Sequence, residues 1–241
     1  MVVSMRLNKL NRLLSRPTLP LNVVGILATL LFFPNCAGYG KGNISPPGPW
    51  APEDAEVRLV MEGDAAAPMR LVTNDSPTGD RALRRKCRPV KGNGPVITRL
   101  IERMLVTVKN QEGVGIAAPQ VGVNRRLILV QRLDKEPETP FVAYRNPEIT
   151  RMSKATVVGW EGCLSIPAGF GRVRRARSIV IAFDDAGGNR CEEKVKGFTA
   201  RIFQHEIDHL DGVLFIDRME PGALLPEAAY RKLRQQEKQG E

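Results

Sequence analysis

The only two histidines in this 241-residue chain stand four residues apart, within Gln204-His205-Glu206-Ile207-Asp208-His209. On a helix, residues at that spacing share one face about a turn apart, so both imidazoles can reach a single ion. Glu206 then sits beside the ion without being required as a ligand. There it can accept a proton from water and hand it to a leaving nitrogen, the usual chemistry of an H-E-x-x-H helix. The bland alternative is a surface helix with two incidental histidines, but chance placement of this kind is expected in well under about one such sequence in a hundred. Asp208 stays open between orienting a histidine and being a solvated acid.

A catalytic metal site needs a third protein ligand and one vacant position. Among the downstream acids, only Glu227 and Glu237 fall on a predicted helix, where a zinc protease would carry its third ligand. The stronger source lies upstream, in Glu161-Gly162-Cys163-Leu164-Ser165. From these residues alone the ion is divalent, with nitrogen and sulfur donors.

Several elements must hold these residues in place. Val96, Ile97, Leu100, Ile101, Met104, Leu105 and Val108 recur at helical spacing, with Arg99, Glu102 and Arg103 opposite, which predicts an amphipathic helix. Strands are predicted at Leu127–Val130, Phe141–Tyr144, Thr156–Val158, Ile179–Phe183 and Cys191–Val195, the last two joined by the loop Asp184-Asp185-Ala186-Gly187-Gly188-Asn189. The helix bearing the histidines should run from about Thr199 to Asp211-Gly212, where glycine can take the left-handed cap. A last helix should start at Pro226, a favoured first-turn residue. The expected fold is α+β, with antiparallel β-sheets packed around a central metal-binding helix and a C-terminal helix.

Composition bounds the rest. At 42% hydrophobic and 26% charged, the chain falls in the range of one globular domain with appendages. Four cysteines without a CxxC pair argue against a disulfide scaffold or a zinc ribbon; Cys87 and Cys191 read as structural or incidental. Residues 1–52 contain Arg6, Lys9, Arg12, Arg16 and Lys41, no acid, and the apolar run Leu19–Phe33. That run is short for a membrane span and the right size for a signal-peptide core. A transit peptide, a membrane tether, or a start assigned too far upstream of Met61 and Met69 fits equally. Cys36 lacks the small preceding residues of a lipoprotein site. The expected organisation is a targeting or anchor-like segment at 1–52, a Pro/Gly/Ala-rich linker at 53–70, a catalytic domain at 71–222 and a helical tail at 223–241.

Three blocks, in order, give the chain a specific likeness: Gly113-Val114-Gly115-Ile116-Ala117-Ala118-Pro119-Gln120, then Glu161-Gly162-Cys163-Leu164-Ser165, then Gln204-His205-Glu206-Ile207-Asp208-His209-Leu210. Over roughly residues 70 to 220 the sequence resembles the peptide deformylases. The resemblance implies hydrolysis of the N-formyl group from N-formylmethionyl nascent peptides, releasing formate. It implies that Cys163, His205 and His209 bind the metal, that Glu206 is general base and acid, and that Gln120 with the Leu164 N–H holds the oxyanion. Such donors are worth about a hundredfold to a thousandfold in rate each. The family uses ferrous iron, with zinc, nickel or cobalt able to take the same site; a thiolate makes the site softer than nitrogen and oxygen ligands alone.

Substrate contacts follow in the same terms. Gly113, Val114 and Gly115 suit a segment where a peptide backbone approaches closely and pairs as an added strand. Phe198 and Ile202 share the helical face of His205 and His209, either lining a methionine pocket or filling the core. One departure stands out: many family members carry an arginine seven residues after the ligand cysteine, where this chain has Phe170, while Arg175 matches a family arginine.

Two rivals remain at this stage. A zincin-type endopeptidase would cleave internal peptide bonds and ignore loss of Cys163; a non-catalytic module would bind formyl peptides without turnover, and the intact Glu206 counts against it. Arg231, Lys232, Arg234 and Lys238 would allow a weak, salt-dependent ribosome contact, but Glu227, Glu237 and Glu241 are interleaved with them, which favours a solvated helix. Because formyl-methionine starts chains in the bacterial cytoplasm and in organelles, the catalytic domain is expected in one of those compartments. An N-terminal membrane association is a further role open to residues 1–52.

Overall fold

The computed structural model describes residues 54–219 and 222–239. The expected segment at 1–52 lies outside them. Elements run α1 (Asp54–Met61), α2 (Pro77–Leu83), α3 (Pro95–Asn110), β1 (Gly115–Ala117), a 3-10 turn (Ala118–Val121), β2 (Leu127–Gln131) and β3 (Phe141–Met152). They continue as β4 (Thr156–Cys163), β5 (Ile166–Ala176), β6 (Ser178–Asp184), β7 (Arg190–Lys196), α4 (Gly197–Leu210), a second 3-10 turn (Phe215–Asp217) and α5 (Glu227–Gln239).

Five strands form one antiparallel sheet in the order β1-β2-β3-β6-β7, and β4 and β5 form a separate hairpin. This is the α+β arrangement expected, and its core is explained by strand periodicity. Successive side chains of a strand point to opposite faces, and Leu127 to Val130 are buried on both. Ile128 and Val130 face α4, packing with Tyr144, Phe183, Ile202, Phe203 and Ile207. Leu127 and Leu129 face α3, with Ile97, Leu100, Ile101 and Met104. A strand covered on both faces reads as a continuous apolar run. Tyr144 fixes the α4 side, meeting Phe203 and Phe183 edge-on with ring centroids 4.7 and 5.0 Å away.

Both main helices, α3 and α4, fall where the sequence places them. Helix α4 ends before Gly212, which takes the left-handed conformation at φ +74° and lies so close to the Arg84 backbone that a Cβ would collide with it. Among the described residues, no helix is long and apolar enough to cross a membrane.

Within the stretch expected as a linker, the described residues 54–70 are instead ordered by packing. Helix α1 packs on α3: Val60 and Met69 join the α3 core, and Arg103 donates to the carbonyls of Leu59, Val60 and Glu62. Glu56 binds the Arg125 and Arg88 guanidinium groups and the Asn124 N–H. An eight-residue helix is marginal alone; tertiary contacts, invisible in local composition, order this one. Strands β1 and β5 and helix α2 also exceed the expected elements, and β3 runs on through two register shifts.

Candidate metal centre

Two elements with different jobs build the centre. Helix α4 presents His205 and His209 from one face, and the β4–β5 hairpin presents Cys163 at the end of β4, next to the turn Leu164-Ser165. One ligand atom from each of the three residues lies within 4.8 Å of the other two, and all three residues are buried. Cys163 Sγ is 3.1 Å from His209 Nε2, and the imidazole planes are inclined at 75°. Glu227 and Glu237, the formal alternatives, are instead exposed on α5 and paired with Arg231 and Arg234.

The surroundings fix one histidine tautomer. His205 Nδ1 lies 3.0 Å from Glu161 Oε2, so it donates there and leaves Nε2 for an ion. Glu161, wholly buried, also accepts two bonds of 2.9 Å from Arg175 and one of 2.7 Å from Arg201. Burial opposes its charge, but the Arg175 and His205 hydrogen bonds outweigh that and hold the carboxyl below the ordinary range. Asp208 neither touches a histidine nor is solvated: it is buried and bridges Arg175 to Arg218. The chain of support therefore runs from Asp208 through Arg175 and Glu161 to His205.

The remaining groups resist their charged forms. Burial pushes the Cys163 thiol well up, with the Glu206 and Glu161 charges adding to it against a backbone N–H from Ser165. Burial likewise raises the Glu206 carboxyl far above its usual value and lowers His209. Glu206 Oε2 and His209 Nδ1 have no hydrogen-bond partner. A buried divalent cation inverts this logic, since it stabilises a thiolate and neutral imidazoles together. Two imidazoles and a thiolate, with an unpartnered carboxylate beside them, fit a catalytic metal.

Gln120 is placed to act on the same space. Its Oε1 accepts from the Ala117 N–H at 2.8 Å, which turns the amide nitrogen toward Ser165 Oγ and Cys163 Sγ at 3.3 and 3.4 Å. Leu164 reaches Gly113, where a Cβ would lie 3.5 Å from its Cδ1. A Cβ on Gly115 would meet Glu206 Oε1 at 2.5 Å and Ile202 Cγ2 at 2.8 Å. Glycine there thus lets β1 cross directly over the Glu206 carboxylate, a closer reason for it than room for substrate. Val114 is buried between the two glycines, and β1 is an edge strand. Ile202 is core; Phe198 is half-buried and lines a cavity one to two turns before His205.

Sequence reading did not find Glu161 and Arg201 as supports of the site, because their partners are remote in sequence; Asp208, offered as a histidine's partner or a solvated acid, instead acts through Arg175. Phe170 stacks on Tyr230 at 4.2 Å between ring centroids, Trp160 meets Tyr230 edge-on, and Phe170 exchanges backbone hydrogen bonds with Leu225. The position of the family arginine therefore docks the C-terminal segment.

Comparison with known proteins points to one family. Residues 73–223 match the family described as polypeptide deformylase. A peptide deformylase of Thermotoga neapolitana is 41% identical over 147 residues, covering 61% of this chain and 87% of that protein. The crystal structure of peptide deformylase from Thermotoga maritima superposes with a TM-score of 0.58 at 38% identity, over 64% of this chain and 99% of that one. A class I type b peptide deformylase from Acinetobacter baumannii, with Met-Ala-Ser bound, gives 0.56 at 34% identity, over 63% of this chain and 98% of that one.

Proposed function

The chain belongs to the peptide deformylase family, a hydrolase family that removes the N-formyl group from N-terminal methionine, and from this premise we propose which residues do the work. Cys163, His205 and His209 hold the metal, and the observation that carries this is the convergence of their ligand atoms beside the unpartnered Glu206 carboxylate. Bound there, a divalent metal supplies Lewis acidity toward the formyl carbonyl and acidifies water. The soft thiolate donor suits ferrous iron, with zinc, nickel or cobalt as substitutes.

Glu206 takes the proton from the attacking water and returns it to the departing amine. Its carboxylate stands beside the three ligand atoms with Oε2 free of any hydrogen-bond partner, which leaves it open to that shuttle. The Gln120 amide, aimed by Ala117, and the Leu164 N–H donate to the oxygen that gains charge. Substrate is the formylated N-terminus of a nascent peptide, which aligns along the β1 edge at Gly113, Val114 and Gly115, with Phe198 and Ile202 on the methionine side. Pairing of Arg231 and Arg234 within α5 supports a solvated helix over a ribosome contact. The bacterial cytoplasm or an organelle remains the proposed location, with membrane association left to residues 1–52.

Formate release from formyl-Met-Ala-Ser by ferrous-loaded protein tests the reading. Turnover that disappears in Glu206→Ala while bound metal is retained supports it. Cleavage of internal bonds in unformylated peptides, without formate release, would replace it with an endopeptidase.

A further inference from the structure

The segment between α1 and α2 reaches both turns that carry the oxyanion donors. The Val72 N–H donates to the Gln120 carbonyl at 2.8 Å, and the Asn74 N–H donates to the Ser165 carbonyl at 2.9 Å. Gln120 lies in the 3-10 turn after β1, and Ser165 follows Leu164 in the turn between β4 and β5. These turns are 45 residues apart in sequence, and across them the Gln120 amide nitrogen is 3.3 Å from Ser165 Oγ. The segment is itself braced. Val72 packs against the cluster that contains Cys163, Ile166 and Leu83. Leu83 belongs to α2, whose N-cap Ser76 accepts from the Gly79 N–H at 3.1 Å. Gly79 in turn lies so close to Thr73 that a Cβ there would stand 2.0 Å from the Thr73 carbonyl oxygen.

Two residues of chain span at most about 7 Å, so donors at positions 72 and 74 limit how far the two turns can drift apart. That limit bears on the reaction, because two donors stabilise one oxygen only when both are aimed at it before charge develops. Resting on the oxyanion roles given above to Gln120 and the Leu164 N–H, we propose that residues 72–74 are a positioning segment for that pair. The Val72 N–H fixes the backbone from which the Gln120 amide is aimed. The Asn74 N–H fixes the turn that presents the Leu164 N–H. Neither touches the substrate; each acts through the donor that it holds.

The test removes one N–H at a time, by Val72→Pro on the Gln120 side and Asn74→Pro on the Ser165 side. Each variant should lower kcat for formyl-Met-Ala-Ser by about tenfold to a hundredfold, the cost of misplacement by an ångström. KM should stay within about threefold of wild type, with bound metal and the thiolate absorption of cobalt-loaded protein unchanged. Asn74→Ala, which keeps its N–H, should match wild type. In a Gln120→Ala background Val72→Pro should no longer change kcat, since no amide remains to be aimed. An equal loss in both backgrounds, or proline variants with the kcat of wild type, would overturn the positioning role. Where Val72→Pro does not fold, Asn74→Pro against Asn74→Ala decides, and equal kcat for these two overturns it. Undiminished kcat in Gln120→Ala alone would instead overturn the oxyanion reading.

Discussion

The two faces of the β4–β5 hairpin hold different kinds of structure a few ångströms apart. The inner face turns Glu161, Cys163 and Arg175 toward α4, where Glu161 is paired with Arg175, Arg201 and His205 and the ligand atoms of Cys163, His205 and His209 converge. The outer face carries Trp160 and Phe170, which grip Tyr230 of α5. Alternation along a strand allows both from one stretch of sequence. The inner face spends stability on fixed charge, because buried ions are held only by near-complete pairing. The outer face gains stability from aromatic area and asks little of geometry. Function should therefore be brittle on one side and tolerant on the other.

The largest effect should come from the inner side. Glu206→Ala is expected to lower kcat by about a hundredfold to ten-thousandfold with metal content unchanged, measured by formate release and bound-metal analysis. Loss of metal in this variant would mean that Glu206 is a ligand and that the division of roles is wrong. Next, Arg175→Met removes the guanidinium that joins Glu161 to Asp208, leaving Glu161 with Arg201 and His205 and Asp208 with Arg218. Removing one partner of a buried pair costs about 3–5 kcal/mol, which should appear as a lower urea midpoint and faster metal loss to a chelator.

The outer side should respond in stability alone. Tyr230→Ala is expected to cost about 2 kcal/mol from lost aromatic packing, with kcat/KM for formyl-Met-Ala-Ser within about threefold of wild type. A much larger kinetic loss would show that α5 positions Cys163 through the hairpin. The smallest effect is expected for Phe170→Arg, which trades the stack on Tyr230 for a family-like guanidinium. A cost of about 1 kcal/mol, read by thermal denaturation, would confirm that this position serves docking; a marked fall in KM would return it to substrate binding.

Legibility in the sequence followed the same division. Helices α3 and α4 were readable because their apolar residues recur at helical spacing, and the ligand pair was readable because it lies within one turn. The third ligand needed the likeness to a known family, since Cys163 is 42 residues from His205. The bracing network was not readable: Glu161, Arg175, Arg201 and Asp208 meet only when the hairpin closes on α4, and no local pattern marks them. Helix α1 was missed for a related reason, its order coming from Glu56 and Arg103 contacts remote in sequence. The helical face that carries His205 and His209 also packs the core through Ile202, so periodicity alone does not separate a pocket from a core position.

The ligand assignment of Cys163 is tested most directly by bound metal and formate release measured together for wild type, Cys163→Ala and Cys163→Asp. The account predicts an alanine variant that binds metal far below one per chain and loses nearly all turnover, and an aspartate variant that keeps part of its metal through a harder donor. A fully metallated, active alanine variant would contradict the three-ligand site.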